Sequence, residues 1–492
     1  MVIKVLELFK SINLNKNLNT PLYLQLCNII GQMIEKGTLL SDTKLPSVRQ
    51  ISSMLKINSV TVINCYRQLE SKGYVYTKPG SGTYVSTSLS FNYEKSNCDK
   101  NVFLDEIYPN DDMFLINNGQ IKIDANTINF ASSTPTSDLF PVEDFKLVLN
   151  EVLDRDMGNA FNYQESQGYY PLRSSICTLL KNYQINCLEE SIQIISGAQQ
   201  GIDIIAKALL NQGDYVITES PTYTGAIAVF KSRGAEIADV DLDADGINLD
   251  LLEYNLKKYS PKLIYTIPSF HNPTGISYSQ QKRKNLIQLA QKYNTYIIED
   301  DYVSELDFEG KNFIPLRSFD NWDKVIFLKS FSKIFMPGLR FGFMTVPPKL
   351  KKHILEAKHS TDISTSGLIQ RTFDLYIRKG LWQKNFNNMY EIYKKRYLKT
   401  ISTLDQNMPQ NVLYHRSGGG LNIWLSLPYS YMVNSLLEYS TSNNIVFAPG
   451  GIFYSSAPSK LNNIRLSFAA VPIEKIEPGI EKLCTLISRF YK

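Results

Sequence analysis

The sequence predicts an N-terminal unit of three helices closed by a β-hairpin, followed by a large α/β body, on three observations. Residues 21 to about 85 carry three helical stretches and then two short β-rich pieces around a glycine turn. From about residue 125 onward, β-rich runs alternate with amphipathic segments, the pattern of a sheet covered by helices on both faces. Charge divides in the same region: residues 1–90 hold ten Lys/Arg against four acids, a net of +6, so the other 402 residues sum to −1. A basic head on a near-neutral body suits a polyanionic partner for the head alone, although solvating surface lysines give the same count.

Taken in order, the first helix is expected from about Pro21 to Gly37, with Leu22, Leu26, Ile29, Ile30 and Met33 as its apolar stripe. Pro46 opens a short second helix, PSVRQISSML, since proline suits a first turn. A turn at KINS leads to a third, SVTVINCYRQLESKG, with Val62, Tyr66 and Leu69 at core spacing and Gly73 as its stop. YVYTK and TYVS then flank PGSG (79–82), a tight hairpin. Three helices and a hairpin make a winged helix-turn-helix, a motif whose third helix enters the DNA major groove.

The matching residues LPSVRQIS (45–52), Thr61, Val62, Tyr66, Leu69, Gly73, Tyr74 and GSGTYV (80–85) resemble the GntR family of bacterial regulators. The resemblance covers about 65 residues and implies a double-stranded DNA operator as partner, faced by Arg49, Thr61 and the wing around Gly82 and Thr83. Ser59 stands where the family usually carries Arg, the commonest reader of guanine, so base preference does not transfer. Arg67 and Lys72 fit phosphate contacts and solvated helix faces equally.

Residues 86–124 mix Ser, Asn and Asp with isolated aromatics (Phe91, Tyr93, Phe103, Phe114) and are expected to be a linker, leaving domains at 1–85 and 125–492. In the body, SIQIIS (191–196), DYVITE (214–219), KLIYTIP (262–268), TYIIED (295–300) and KVIFLKS (324–330) are expected strands, and 198–210 a helix with Ile202, Ile205, Ala206 and Leu209 on one face. Ligands of such sheets gather at the strands' carboxyl ends.

The candidate chemistry sits at those ends. SFSKIFMPGLR (330–340) places an amine, Lys333, directly after a strand, with Ser330, Ser332 and Arg340 able to bond a phosphate. TYIIEDDY ends a run on Asp300 and Tyr302; a carboxylate there could pair with a pyridine nitrogen, or the acids could simply end the strand. PSFHNPTG (268–275) offers Asn272, and SGAQQG (196–201) offers backbone N–H groups at a helix start. ESPTYTG (219–225) puts Tyr223 where it could stack on a ring or pack as an ordinary loop tyrosine. The GGG at 418–420 suits a close backbone approach.

In order and spacing these motifs resemble fold-type I pyridoxal-phosphate-dependent aminotransferases over residues 125–490, and head plus body together resemble the MocR/GabR regulators. The resemblance implies a large α/β domain with a C-terminal α+β small domain and pyridoxal 5'-phosphate as cofactor. It makes Lys333 the Schiff-base residue, Asp300 the pyridine partner, and Tyr302 and Asn272 donors to the phenolic oxygen. Ala198, Gln199, Ser330, Ser332 and Arg340 become phosphate ligands and Tyr223 the stacking ring. Arg465, in NNIRLSFA (462–469), becomes the clamp for a substrate carboxylate, against the alternative of a surface salt bridge. Tyr163 falls where relatives lend a residue to the partner subunit's phosphate site, in a head-to-tail dimer.

The expected function is therefore a DNA-binding regulator sensing a small amine, an amino acid or the cofactor itself; the alternative is a working aminotransferase with an accessory head. Asn272, where many MocR members carry an aromatic, leaves catalysis open. No apolar run approaches the roughly 18–20 residues of a membrane span, and MVIKVLELFK lacks a signal-peptide pattern. The six cysteines (27, 65, 98, 177, 187, 484) form no CxxC pair and suit reduced thiols better than disulfides or a metal site, so a cytoplasmic protein without a metal centre is expected.

Overall fold

The computed structural model describes residues 8–86, apart from 11, 13, 15–20, 36–37, 41, 56, 72–73 and 79–80, and residues 126–490, apart from 429–432 and 457–461. The chain forms two compact units, Met1–Asn101 and Val102–Lys492. The expected linker with its four aromatics lies outside the described residues from position 87 on, as do Gly37, Lys72 and Gly73.

The N-terminal unit consists of α1 (Leu22–Glu35), α2 (Val48–Leu55), α3 (Ser59–Ser71) and an antiparallel hairpin of β1 (Val75–Lys78) and β2 (Gly82–Val85). The second helix starts two residues later than Pro46. Ser47 is its cap: Ser47 Oγ accepts from the Gln50 amide (3.3 Å) while Gln50 Oε1 accepts from the Ser47 amide (2.8 Å), a reciprocal capping box. Pro46 instead lends its carbonyl to the Tyr66 hydroxyl at 2.6 Å, tying α3 to the turn before α2. Leu26, Ile30, Ile51, Val62, Cys65, Leu69, Val75 and Val85 form the buried core.

In the second unit all five strands expected from sequence are present: β3 (Ile192–Ile195), β4 (Tyr215–Ser220), β7 (Leu263–Thr266), β8 (Tyr296–Asp301) and β9 (Val325–Ser330). Three others complete the sheet: β5 (Glu236–Asp243), its small partner β6 (Gly246–Ile247), and β10 (Gly342–Thr345). The order is β3-β10-β9-β8-β7-β4-β5-β6, with β5, β4, β7, β8 and β9 mutually parallel and β10 antiparallel to both its neighbours. β5 was missed although Ala238, Val240 and Leu242 alternate with Asp239, Asp241 and Asp243, since aspartate is poorly suited to strands, and β10 because four residues carry no period.

The expected helix at 198–210 is α4 (Ala198–Leu209), with Ile202, Ile205 and Ala206 buried. A C-terminal layer contains α5 (Leu381–Asn407) and the antiparallel strands β11 (Leu413–Tyr414), β12 (Asn422–Ser426), β13 (Ala448–Pro449) and β14 (Asn463–Ser467), in the order β11-β12-β14-β13. α6 (Ile473–Phe490) packs along α5. The glycine run lets this layer approach the body: a Cβ at Gly419 would lie 2.2 Å from the Leu306 carbonyl oxygen. Among the described residues no helix is long and apolar enough to cross a membrane.

Candidate functional site

The ends of β4, β7, β8 and β9 open into a cavity of about 500 Å3 that brings together Ala198, Gln199, Tyr223, Asn272, Asp300, Tyr302, Ser330, Ser332, Lys333, Arg340 and Arg465. Residues from six separate sequence segments thus converge, as expected at the carboxyl edge of a parallel sheet.

At one end Asp300 is almost wholly buried, and Tyr265 donates to its Oδ2 at 2.6 Å. Its other oxygen, Oδ1, is buried without a hydrogen-bond partner among the described residues. Burial pushes the carboxyl up to about 7. A desolvated carboxylate in this state is strongly disposed to take a cationic N–H.

At the opposite end, Gly197 (φ +95°) precedes α4, and the Arg340 side chain donates to the Ser196 carbonyl at 3.0 Å. A Cβ on Gly197 would sit 2.7 Å from that guanidinium. The helix start, Ser330, Ser332 and Arg340 form a concave set of donors suited to a phosphate. Tyr223 donates to Gln199 Oε1 (3.1 Å) and Gln199 Nε2 to the Gly225 carbonyl (3.0 Å). Gly225 is required by this arrangement, since a Cβ there would meet Gln199 Oε1 at 2.3 Å.

Asn272, Tyr302 and Arg465 meet on the remaining wall. Arg465 donates to Asn272 Oδ1 at 3.1 Å and to the Ala131 carbonyl. The arginine is 7% exposed and lies in the cavity wall, which rules out the surface salt bridge weighed from sequence. The Tyr302 hydroxyl donates to the Phe270 carbonyl at 2.6 Å and accepts from Asn422 at 3.2 Å. Tyr163 is not part of the cavity; it is 84% exposed.

Sequence reasoning missed Tyr265, Asn422, Ala131 and Ser133. A tyrosine in the apolar run KLIYTIP was the available signal for Tyr265. Asn422 accepts from Ser133 Oγ (3.0 Å) and reaches Tyr302 across 120 positions, and no local pattern marks such a contact.

In the head, Arg49, Ser59 and Arg67 are exposed, and Thr61, Gly82 and Thr83 are half-buried. Asn58 accepts from the Val60 amide (2.9 Å), capping α3 so that Ser59 stands in its first turn. The hairpin is braced from outside, with Leu45 N donating to the Thr83 carbonyl (2.8 Å) and Val85 N to Thr43 (3.0 Å).

Pyridoxal phosphate fits the body's residues: the unpartnered Asp300 oxygen suits its pyridinium, the Gly197–Arg340 cradle its phosphate, and Lys333 its aldehyde. The class defined by fold and cavity is that of the pyridoxal-phosphate-dependent aminotransferases. The chain belongs to the aminotransferase class I and II family, whose pattern matches residues 125–483, and pyridoxal phosphate is its cofactor. Residues 22–85 match the bacterial regulatory proteins of the gntR family, a DNA-binding type, so the chain is a head-plus-body fusion of the MocR kind.

Aromatic-amino-acid aminotransferase 1 of Thermococcus litoralis is 33% identical over 75% of this chain and 89% of its own. The HTH-type transcriptional regulator YisV of Bacillus subtilis is 28% identical over 94% of this chain and 95% of its own. The kynurenine aminotransferase of Pyrococcus horikoshii, solved with PMP, superposes with a TM-score of 0.72 at 32% identity, covering 77% of this chain and 94% of that one.

Proposed function

We propose that this protein is a pyridoxal-phosphate-dependent transcription regulator: the head binds an operator, and the body senses a small amine, an amino acid or the cofactor. The observation carrying this reading is the presence in one chain of a gntR-type head and a body whose cavity gathers residues suited to the cofactor, in a chain similar to YisV over nearly its full length.

Bound, pyridoxal phosphate would supply an electrophilic carbon for a primary amine and a cationic ring that withdraws electrons. Lys333 would be the amine that attaches it covalently. Asp300, kept in place by Tyr265, would hold a proton on the ring nitrogen. Ala198, Gln199, Ser330, Ser332 and Arg340 would hold the phosphate, Tyr223 would stack on the ring, and Asn272 with Tyr302 would hold the phenolic oxygen. Arg465, already oriented by Asn272, would grip the carboxylate of an amino-acid effector. Arg49, Ser59, Thr61, Arg67, Gly82 and Thr83 form the DNA-facing surface. The exposed Tyr163 suits a head-to-tail dimer in which it reaches the partner's phosphate site.

A ligand shifts an equilibrium only through different affinity for its two states. Coupling between sites amounts to about 1–3 kcal/mol, so the effector should change operator affinity roughly 5–150-fold, and the operator should change effector affinity by the same factor. The test is operator binding by cofactor-free protein, loaded protein, and loaded protein with each of a panel of amines and amino acids. A difference among these states carries the sensor reading. Equal affinity in all states, together with sustained conversion of an amino acid into a keto acid, would instead establish the aminotransferase reading, which Asn272 and the 33% identity to an aminotransferase favour.

A further inference from the structure

Apart from the cofactor cavity, two thiols of the body lie in contact. Cys177, on the helix Tyr170–Leu180, and Cys187, in the segment leading into β3, have their sulfurs 3.4 Å apart. The chain between them doubles back, with Ile185 N donating to the Leu180 carbonyl (3.0 Å) and Gln184 in the left-handed region (φ +57°). Both sides of the loop are anchored independently of the sulfurs. Ser318 Oγ donates to the Tyr183 carbonyl (2.7 Å), Ser174 Oγ to Glu189 (3.0 Å) and Arg173 to the Glu189 carbonyl (3.1 Å). The contact is thus set by the backbone and needs only about 1.4 Å of closure to reach disulfide bond length.

We infer that Cys177 and Cys187 form a reversible disulfide, a modification site that reacts with hydrogen peroxide. The two thiols are chemically distinct. Cys187 is partly exposed, and its hydrogen bond with Cys177 favours its ionised form over the opposing effect of burial, with Ser191 and Arg317 adding to the pull. Cys177 is buried, and its pKa is pushed well up. A thiolate is the nucleophile in such chemistry, so Cys187 attacks first. Its sulfur takes one peroxide oxygen as the O–O bond breaks and hydroxide leaves, giving a sulfenic acid. The Cys177 sulfur then attacks the Cys187 sulfur, the S–O bond breaks, and the departing hydroxide takes up the Cys177 proton. Two electrons pass from the two sulfurs to one peroxide, which ends as two waters.

Consequences follow from what the loop carries. Tyr183 donates to Glu305, which accepts from the buried Lys329 at 2.6 Å; Lys329 immediately precedes Ser330 of the cofactor cavity. The disulfide would close the loop that carries Tyr183, the residue joining this network.

The test is made on the loaded full-length protein, fully reduced and then treated with a few equivalents of hydrogen peroxide. Expected is the loss of two of the six thiols, a cross-linked peptide joining Cys177 to Cys187 under non-reducing digestion, and recovery of both thiols with dithiothreitol. In Cys177→Ser, Cys187 should go on to the sulfinic acid, whereas in Cys187→Ser, Cys177 should stay a thiol under the same dose. A wild-type digest in which Cys187 is over-oxidised while Cys177 remains free, or in which no 177–187 peptide appears, would overturn the assignment without recourse to either variant.

Discussion

Asp300, Ser330 and Arg465 in the body are each 7% exposed or less, whereas Arg49, Ser59 and Arg67 in the head are all exposed. The body's groups are also held: Asp300 by Tyr265, Arg465 by Asn272, and Gln199 between Tyr223 and Gly225. A buried, oriented group acts in a medium where a charge is felt strongly and solvent does not compete. An exposed group acts through ionic screening and must be ordered by its ligand when that ligand arrives. The buried groups of the body should therefore respond to substitution with large, salt-insensitive effects and the exposed arginines of the head with smaller, salt-sensitive ones, the exposed Arg340 of the body falling with the latter.

The sharpest way to break this contrast is at Lys333. Lys333→Ala should abolish the absorbance band of the lysine–cofactor imine while the protein still folds; an unchanged spectrum would remove Lys333 from its role. Asp300 comes next. Burial raises its carboxyl from the ordinary 3.8 to about 7 in the cofactor-free protein. The folded state then binds the proton more tightly than the unfolded state. This contribution to stability is complete below about pH 4 and is lost as the pH rises to about 7, roughly 4 kcal/mol in all. Urea unfolding of cofactor-free protein across that range should follow this loss, and Asp300→Asn should make the profile shallower without abolishing it, because burial also pushes the neighbouring Glu299 carboxyl up to about 7 and its contribution is lost over the same range. A variant with the wild-type slope would assign the proton elsewhere.

Arg465→Ala should weaken binding of carboxylate-bearing amines by about 1.5–3 kcal/mol, as for a charged hydrogen bond, and leave simple amines unaffected. Equal loss for both ligand types would show that the arginine only braces Asn272. In the head, Arg49→Ala should cost about 1–3 kcal/mol of operator affinity if it reads a base edge. If it contacts only phosphate, the loss should be the same on every sequence, with the salt slope reduced by about 1. The smallest effect is expected from Arg67→Ala. As a phosphate contact it changes the salt slope by about 1, and as a solvated helix face it changes nothing, so a titration between low and moderate salt distinguishes the two.

Much of the body was readable because its motifs are local. A lysine following a strand, a small-residue turn before a helix and an acid at a strand end are each contained in fewer than a dozen residues, and alternation of β runs with amphipathic stretches gave five strands of the main sheet. β5 was overlooked because three aspartates, residues poorly suited to strands, make up the polar half of its alternation, one of them, Asp239, half-buried against Thr218 and Ser455. The start of α2 was misplaced by two residues because proline in a first turn is a common signal, whereas here the Ser47–Gln50 capping pair decides the helix start. The thiols illustrate the same limit: without a CxxC spacing, nothing in the sequence brings Cys177 to Cys187.

The two-part architecture and the strand ends at which the candidate site's residues gather were legible in the chain alone, because periodicity and turn chemistry act over a few residues. Only the tertiary structure decided which partners set their chemistry. The lone buried oxygen of Asp300, the Asn422 contact to Tyr302, the Asn272 grip on Arg465 and the meeting of two sulfurs all join residues distant in sequence or turned back on one another. Their geometry is fixed by sheet order and by packing of the C-terminal layer, and neither leaves a periodic trace in the chain.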